Sequence, residues 1–153
     1  MTLDQILTEM DRQGIETYEE HMESDLKGIY CDKVVWLNSN VKSPKEKVCI
    51  LAEELGHYHT SSGNILDLAD IRNQKQEKRA RGWAYEKLIP LQRLVEASKE
   101  GVRNRYELAE YLDVTEEFLE DALTQYRGKY GIYAIWSGYV IYFEPLGVLE
   151  FYE

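Results

Sequence analysis

The segment that most constrains the fold is residues 43–59, SPKEKVCILAEELGHYH. Ser43 is a natural N-cap. Pro44 suits the first helical position, where no N–H is needed, and Glu46 stands where a capping box wants a carboxylate. Val48, Leu51, Ala52 and Leu55 then recur at helical spacing, and that apolar stripe carries the helix through His57 or His59. The stripe has to be laid against other elements, and the flanking sequence supplies them. Residues 2–12 form a helix with Leu3, Ile6, Leu7 and Met10 on one side, Thr2 as N-cap and Gly14 as its end. KGIYC and VVWLN are short β segments around an Asp32–Lys33 turn. The intervening IETYEEHMESDL is polar and ambiguous, and His21 within it is assigned no role.

Downstream, SSGN (61–64) breaks the capped helix, and a polar connection, residues 65–74, leads to a second strong helical pattern, QEKRARGWAYEKLI, stopped by Pro90. Residues 91–100 resume as a short helix ended by Gly101. Residues 105–126 make two helices around a turn at Asp113–Val114, the second capped by Thr115. The tail is strand-rich, with turns at Ser137–Gly138 and Pro145–Gly147. Helix, small β element, central helices and a terminal β-hairpin make an α+β chain. At 153 residues it is long enough for one buried core. The expected division is 1–103 as the core and 104–153 as a helix pair with the hairpin, within one compact unit.

Composition removes several functional classes. A formal charge of −10 opposes a broad phosphate- or lipid-binding surface, because like charges repel. It leaves a local basic patch open. No apolar run nears the roughly 20 residues that span a bilayer. The N-terminus lacks the basic start and apolar stretch of a signal peptide. Cys31 and Cys49 do not form a disulfide framework, and a cytoplasmic protein with reduced thiols is the expectation.

Chemistry concentrates in AEELGHYHT, residues 52–60, which reads like the helical zinc signature H-E-x-x-H with Glu53 in place of the first His. Residues i and i+4 share a helix face, so Glu53 and His57 can reach one metal while Glu54 holds a water beside it as general base. A third ligand has to come from elsewhere. Glu77, twenty residues after His57 on the next helix, is the candidate, at a separation similar to that in two-helix zinc peptidases of the thermolysin type. The competing reading is a set of solvated acids and a histidine on helix faces. His59 points away from His57 on a regular helix and reads as a surface residue. Asp67 and Asp70 are alternative carboxylate ligands.

VCILAEELGHYHT followed by QEKRARGWAYEKLIP resembles the ImmA/IrrE family of small metallopeptidases from bacteria, phages and integrated mobile elements. In ARGWAYEKLIP, Ala80, Trp83, Ala84, Leu88 and Pro90 match that family's second helix in kind. Arg79 replaces its second Glu and leaves Glu77 as the match to the first. The resemblance covers roughly residues 25–95 and more loosely the rest. It implies a zincin-like (gluzincin-like) fold and proteolysis of a helix-turn-helix repressor, with His57 and Glu77 as metal ligands and Glu54 as general base. Zinc is the implied metal. Because Glu53 is a harder donor than the usual His, manganese or iron gains ground. The rival implied by the same resemblance is a catalytically inactive protein that binds the repressor without cutting it.

ELAEYLDVTEEFLEDAL carries the apolar skeleton of a DNA-reading helix-turn-helix. Its second helix offers Glu116, Glu117, Glu120 and Asp121, and residues 107–123 hold no Lys or Arg, so DNA is not the expected partner. Two packed helices are the plainer reading. Lys75, Lys78, Arg79 and Arg81 beside Glu77 either guide an acidic substrate or form a wet helix face. Tyr85 is either an oxyanion donor or a packed ring. Spare tyrosines and edge strands allow a dimer without implying one.

Overall fold

A computed structural model describes residues 1–23, 25–60 and 71–151. The chain is α+β and divides into two compact units, Met1–Ala84 and Tyr85–Glu153. No described helix is long and apolar enough to cross a membrane.

In the first unit, α1 (Leu3–Arg12) opens on a complete capping box, in which the Thr2 hydroxyl accepts from the Gln5 N–H and the Gln5 side chain accepts from the Thr2 N–H. Three strands follow: β1 (Glu16–Glu20), β2 (Gly28–Cys31) and β3 (Val34–Asn38). β3 is central, antiparallel to β2 and parallel to β1. Asp32 and Lys33 both take positive φ, +48° and +64°, the geometry of the two-residue turn that matches strand twist. β1 lies in the stretch whose sequence is ambiguous. Its ETYEE has no apolar alternation because the strand is an exposed edge held by main-chain pairing.

Asn38 explains how the polar stretch before β2 is ordered. Its side chain is buried, donates to the carbonyls of Met22 (3.2 Å) and Leu26 (2.9 Å), and accepts from the N–H of Asn40 (3.1 Å). One amide thus satisfies main-chain groups that lack a ladder.

The capped helix, α2, runs Pro44–Thr60 and packs on this sheet and on α1. The Ser43 hydroxyl accepts from the Glu46 N–H at 3.3 Å. The Glu46 carboxylate takes Lys27 at 2.8 Å. Ile6, Met10, Val35, Leu37, Leu51 and Leu55 are essentially without exposure and form the centre of the unit. α3 spans Ile71–Leu88, starting five residues before the apolar pattern does. The expected break at 61–64 and most of the connection lie outside the described residues.

α2 and the first-unit part of α3 meet at Gly56. A Cβ placed there would stand 2.3 Å from the Ala80 carbonyl oxygen and 3.0 Å from its carbon. The obstacle is backbone, which cannot rotate aside.

In the second unit, α4 (Leu91–Lys99), α5 (Arg105–Leu112) and α6 (Glu116–Tyr130) accompany an antiparallel sheet of β4 (Tyr133–Trp136), β5 (Tyr139–Phe143) and β6 (Leu146–Glu150). The terminal hairpin is thus extended by a third strand. α5 ends on Asp113 in the left-handed region, and the Thr115 hydroxyl caps α6 by accepting from the Phe118 N–H. Buried Tyr126 donates its hydroxyl to the Ile89 carbonyl at 2.7 Å, taking up a group left over where Pro90 stops α3.

Two stability measurements follow. Gly56→Ala gains helix propensity but forces the two backbones apart, and should lower stability by about 2–4 kcal/mol in thermal or urea unfolding. Tyr126→Phe strands the Ile89 carbonyl and should cost about 1–2 kcal/mol.

Candidate active site

The α2–α3 contact brings together side chains twenty residues apart in sequence. His57, one residue past Gly56, and Glu77, three before Ala80, meet with His57 Nε2 3.2 Å from Glu77 Oε2. His57 is 4% exposed and Glu54, on the preceding turn, 7%. Glu53 is half-buried. Arg81, one turn beyond Glu77, places its Nε 3.6 Å from Glu77 Oε1.

Glu54 is seated by a second glycine. A Cβ on Gly28 of β2 would lie 2.8 Å from Ile50 Cγ2 and 3.3 Å from Glu54 Oε1. The missing side chain lets α2 settle onto the strand with its carboxylate inward.

The electrostatics follow from burying several acids around one imidazole. Burial, then the charges of Glu77 and Glu53, push the Glu54 carboxyl up to about 7, against the opposing pull of His57. For His57, burial opposes the imidazolium, but the Glu77 hydrogen bond and the charges of Glu54, Glu77 and Glu53 outweigh it and raise the pKa. Burial would raise Glu77 too, yet His57 and then Arg81 hold it below the usual range. The two shifts run in the direction that favours a charged pair of Glu77 and His57, with Glu54 the group poised to carry a proton.

The other residues singled out in the sequence are placed as follows. His59 is exposed and stacks on Trp83, ring centroids 4.6 Å apart. Lys75, Lys78, Arg79 and Arg81 are all exposed. Tyr85 is buried, edge-on to Phe118 at 5.1 Å. His21 is exposed beyond β1. Asp67 and Asp70 lie outside the described residues. Gly28 and Gly56 were missed as site residues. An isolated Gly inside an otherwise sound helix or strand is the signal that marks such close approaches.

The chain belongs to the IrrE N-terminal-like domain family, Peptidase_M78, whose model matches residues 10–124. Membership carries a function of metallopeptidase type, which needs a divalent metal. No curated protein matches the chain.

His57 and Glu77 suit such an ion. A nitrogen and an oxygen donor 3.2 Å apart have the spacing that two ligands keep around one tetrahedral ion at bond lengths of about 2.0–2.2 Å. His57 Nδ1 is buried without a hydrogen-bond partner among the described residues, so Glu77, at Nε2, is the group that orients the ring. Among the described residues no group of three His, Cys, Asp or Glu side chains closes on a single point. Two donors fit, and among the described residues a third does not converge on them.

The Glu54 shift has a consequence in chelator-treated protein. A carboxyl with a folded pKa of about 7 against 4.5 binds more protons folded than unfolded between those values. Its contribution is thus fully present below pH 4.5 and lost as pH rises through 7. Glu54→Gln has no such titration. Its melting temperature relative to the parent should climb from pH 5 to pH 8, by up to about 3 kcal/mol in stability. Parallel pH profiles for the two proteins would contradict the burial argument.

Proposed function

We propose that this chain is an ImmA/IrrE-type metal-dependent endopeptidase of a phage or other mobile genetic element, acting in the cytoplasm on a helix-turn-helix repressor. The observation that carries the reading is the approach of His57 and Glu77 across two helices, with buried Glu54 one turn away. In this reading His57 and Glu77 would hold the ion, with Glu53 of the same helix as His57 moving in as the third ligand, and zinc first and manganese or iron as alternatives suited to two carboxylates. When bound, the metal supplies Lewis-acid polarisation of the scissile carbonyl and of the attacking water.

The remaining work belongs to the chain itself. Glu54 takes a proton from the water and returns it to the leaving amine, a task matched to a carboxyl whose pKa sits near neutrality. Arg81 draws on Glu77 and keeps it ionised. The exposed basic face of Lys75, Lys78 and Arg79 meets an acidic substrate segment.

One observation favours a second reading, a family member that grips the repressor without cutting it. His57 already has Glu77 as its partner, and no third donor joins them among the described residues.

Metal content by mass spectrometry after loading with Zn²⁺ or Mn²⁺ and desalting, and repressor cleavage followed by intact mass, separate the two. The first reading expects about one equivalent of metal, lost in His57→Ala. It also expects cleavage to fall at least ~10²-fold in Glu54→Gln while the repressor is still retained. Retention without metal or cleavage supports the second reading. Loss of all three activities from the parent protein rules out both.

A further inference from the structure

The C-terminal sheet of the second unit departs from the usual arrangement of a one-sided antiparallel sheet, which faces its apolar side inward and its polar side to water. The inward face is ordinary. Ala134, Ile141 and Phe143 are buried, and α4 and α6 pack on the strands that carry them.

The outward positions follow from the register. Tyr133 pairs with Tyr142 and Tyr142 with Gly147, while Ile135 pairs with Val140 and Val140 with Leu149. These six positions form two adjoining rows on one face, and none is charged. Tyr133 is 50% exposed, Ile135 60% and Leu149 61%. Phe151, whose N–H donates to the Gly138 carbonyl, continues the alternation from Leu149 and is 40% exposed. The sheet lies beyond residues 10–124, the part shared with the family.

We propose that this face is a self-association surface, occupied by the same face of a second copy of the chain. Two features select that occupant. A face without charge has nothing with which to choose an acidic or basic partner, whereas an identical apolar face matches it in an isologous contact. The area also fits. Side chains of this size at these exposures present on the order of 500 Å² per copy, so a pair buries on the order of 1,000 Å², the lower edge of a specific interface. Sheets stacked in this way pack about 10 Å apart with side chains interleaved.

The dimer is therefore weak. Each copy carries −10, so the two repel at a distance while the contact itself is neutral. Added salt screens that repulsion and strengthens association. An interface built on ion pairs would show the opposite dependence.

Sedimentation equilibrium of the full chain tests this between about 5 and 500 µM, the range of a small apolar contact, in 0.05 and 0.5 M NaCl. The expected result is an average mass rising toward twice that of one chain, at lower protein concentration in high salt. Ile135→Lys and Leu149→Lys should each shift the midpoint at least ~10-fold or abolish association. Circular dichroism checks that they fold. If either Lys variant fails to fold, the double variant Ile135→Thr/Leu149→Thr keeps strand propensity and should lose association likewise. A parent that stays monomeric at the highest concentration and salt overturns the proposal and leaves the face to a different protein. So does association that the folded variants retain.

Discussion

The first unit depends on how closely two helices approach. With Gly56 facing the Ala80 carbonyl, α2 and α3 touch main chain to main chain rather than through side chains. Helices separated by larger residues sit 8–10 Å apart, and a Glu and a His reaching across such a gap have several rotamers in which they miss each other. Here the contact lies one residue from His57 and three from Glu77, which fixes their spacing at 3.2 Å. Gly28 does the same for the other side of α2, where the absence of a Cβ lets Glu54 lie against β2.

That geometry has an electrostatic cost. Glu53, Glu54 and Glu77 surround one imidazole, and Glu54 and His57 are nearly cut off from water. The described residues relieve the surplus negative charge in three ways: proton uptake on Glu54, ionisation of His57 against Glu77, and the Arg81 guanidinium at the rim. A buried charge persists only where it is paired or hydrogen-bonded, and Glu77 is met on one side by His57 and on the other by Arg81.

Legibility in the sequence follows how local each determinant is. The capped α2, the Asp32–Lys33 turn and the Thr115 cap are set by residues within four positions of one another, and all are present. The spacing of Glu53, Glu54 and His57 on one helix is equally local. Glu77 was picked out by its separation from His57 and then by a resemblance, and its approach to His57 depends on Gly56 and Ala80, which no helical periodicity marks. β1 was missed because an edge strand of mostly charged residues, paired through its main chain, shows no apolar alternation. Asn38 was missed because its partners lie twelve and sixteen positions away. The apolar outer face of the C-terminal sheet was hidden because strands that are apolar on both faces show no alternation.

The stacking of His59 on Trp83 gives the helix pair an optical label. His59 is one turn past Gly56 and Trp83 one turn past Ala80, so their rings, 4.6 Å apart, extend the same close contact toward solvent. Indole emission responds to a neighbouring imidazole and more strongly to an imidazolium. The brightness and colour of Trp83, isolated by replacing Trp36 and Trp136, therefore register the separation of α2 and α3 without an attached dye. Anything that draws His57 and Glu77 together or pries them apart would be visible as light.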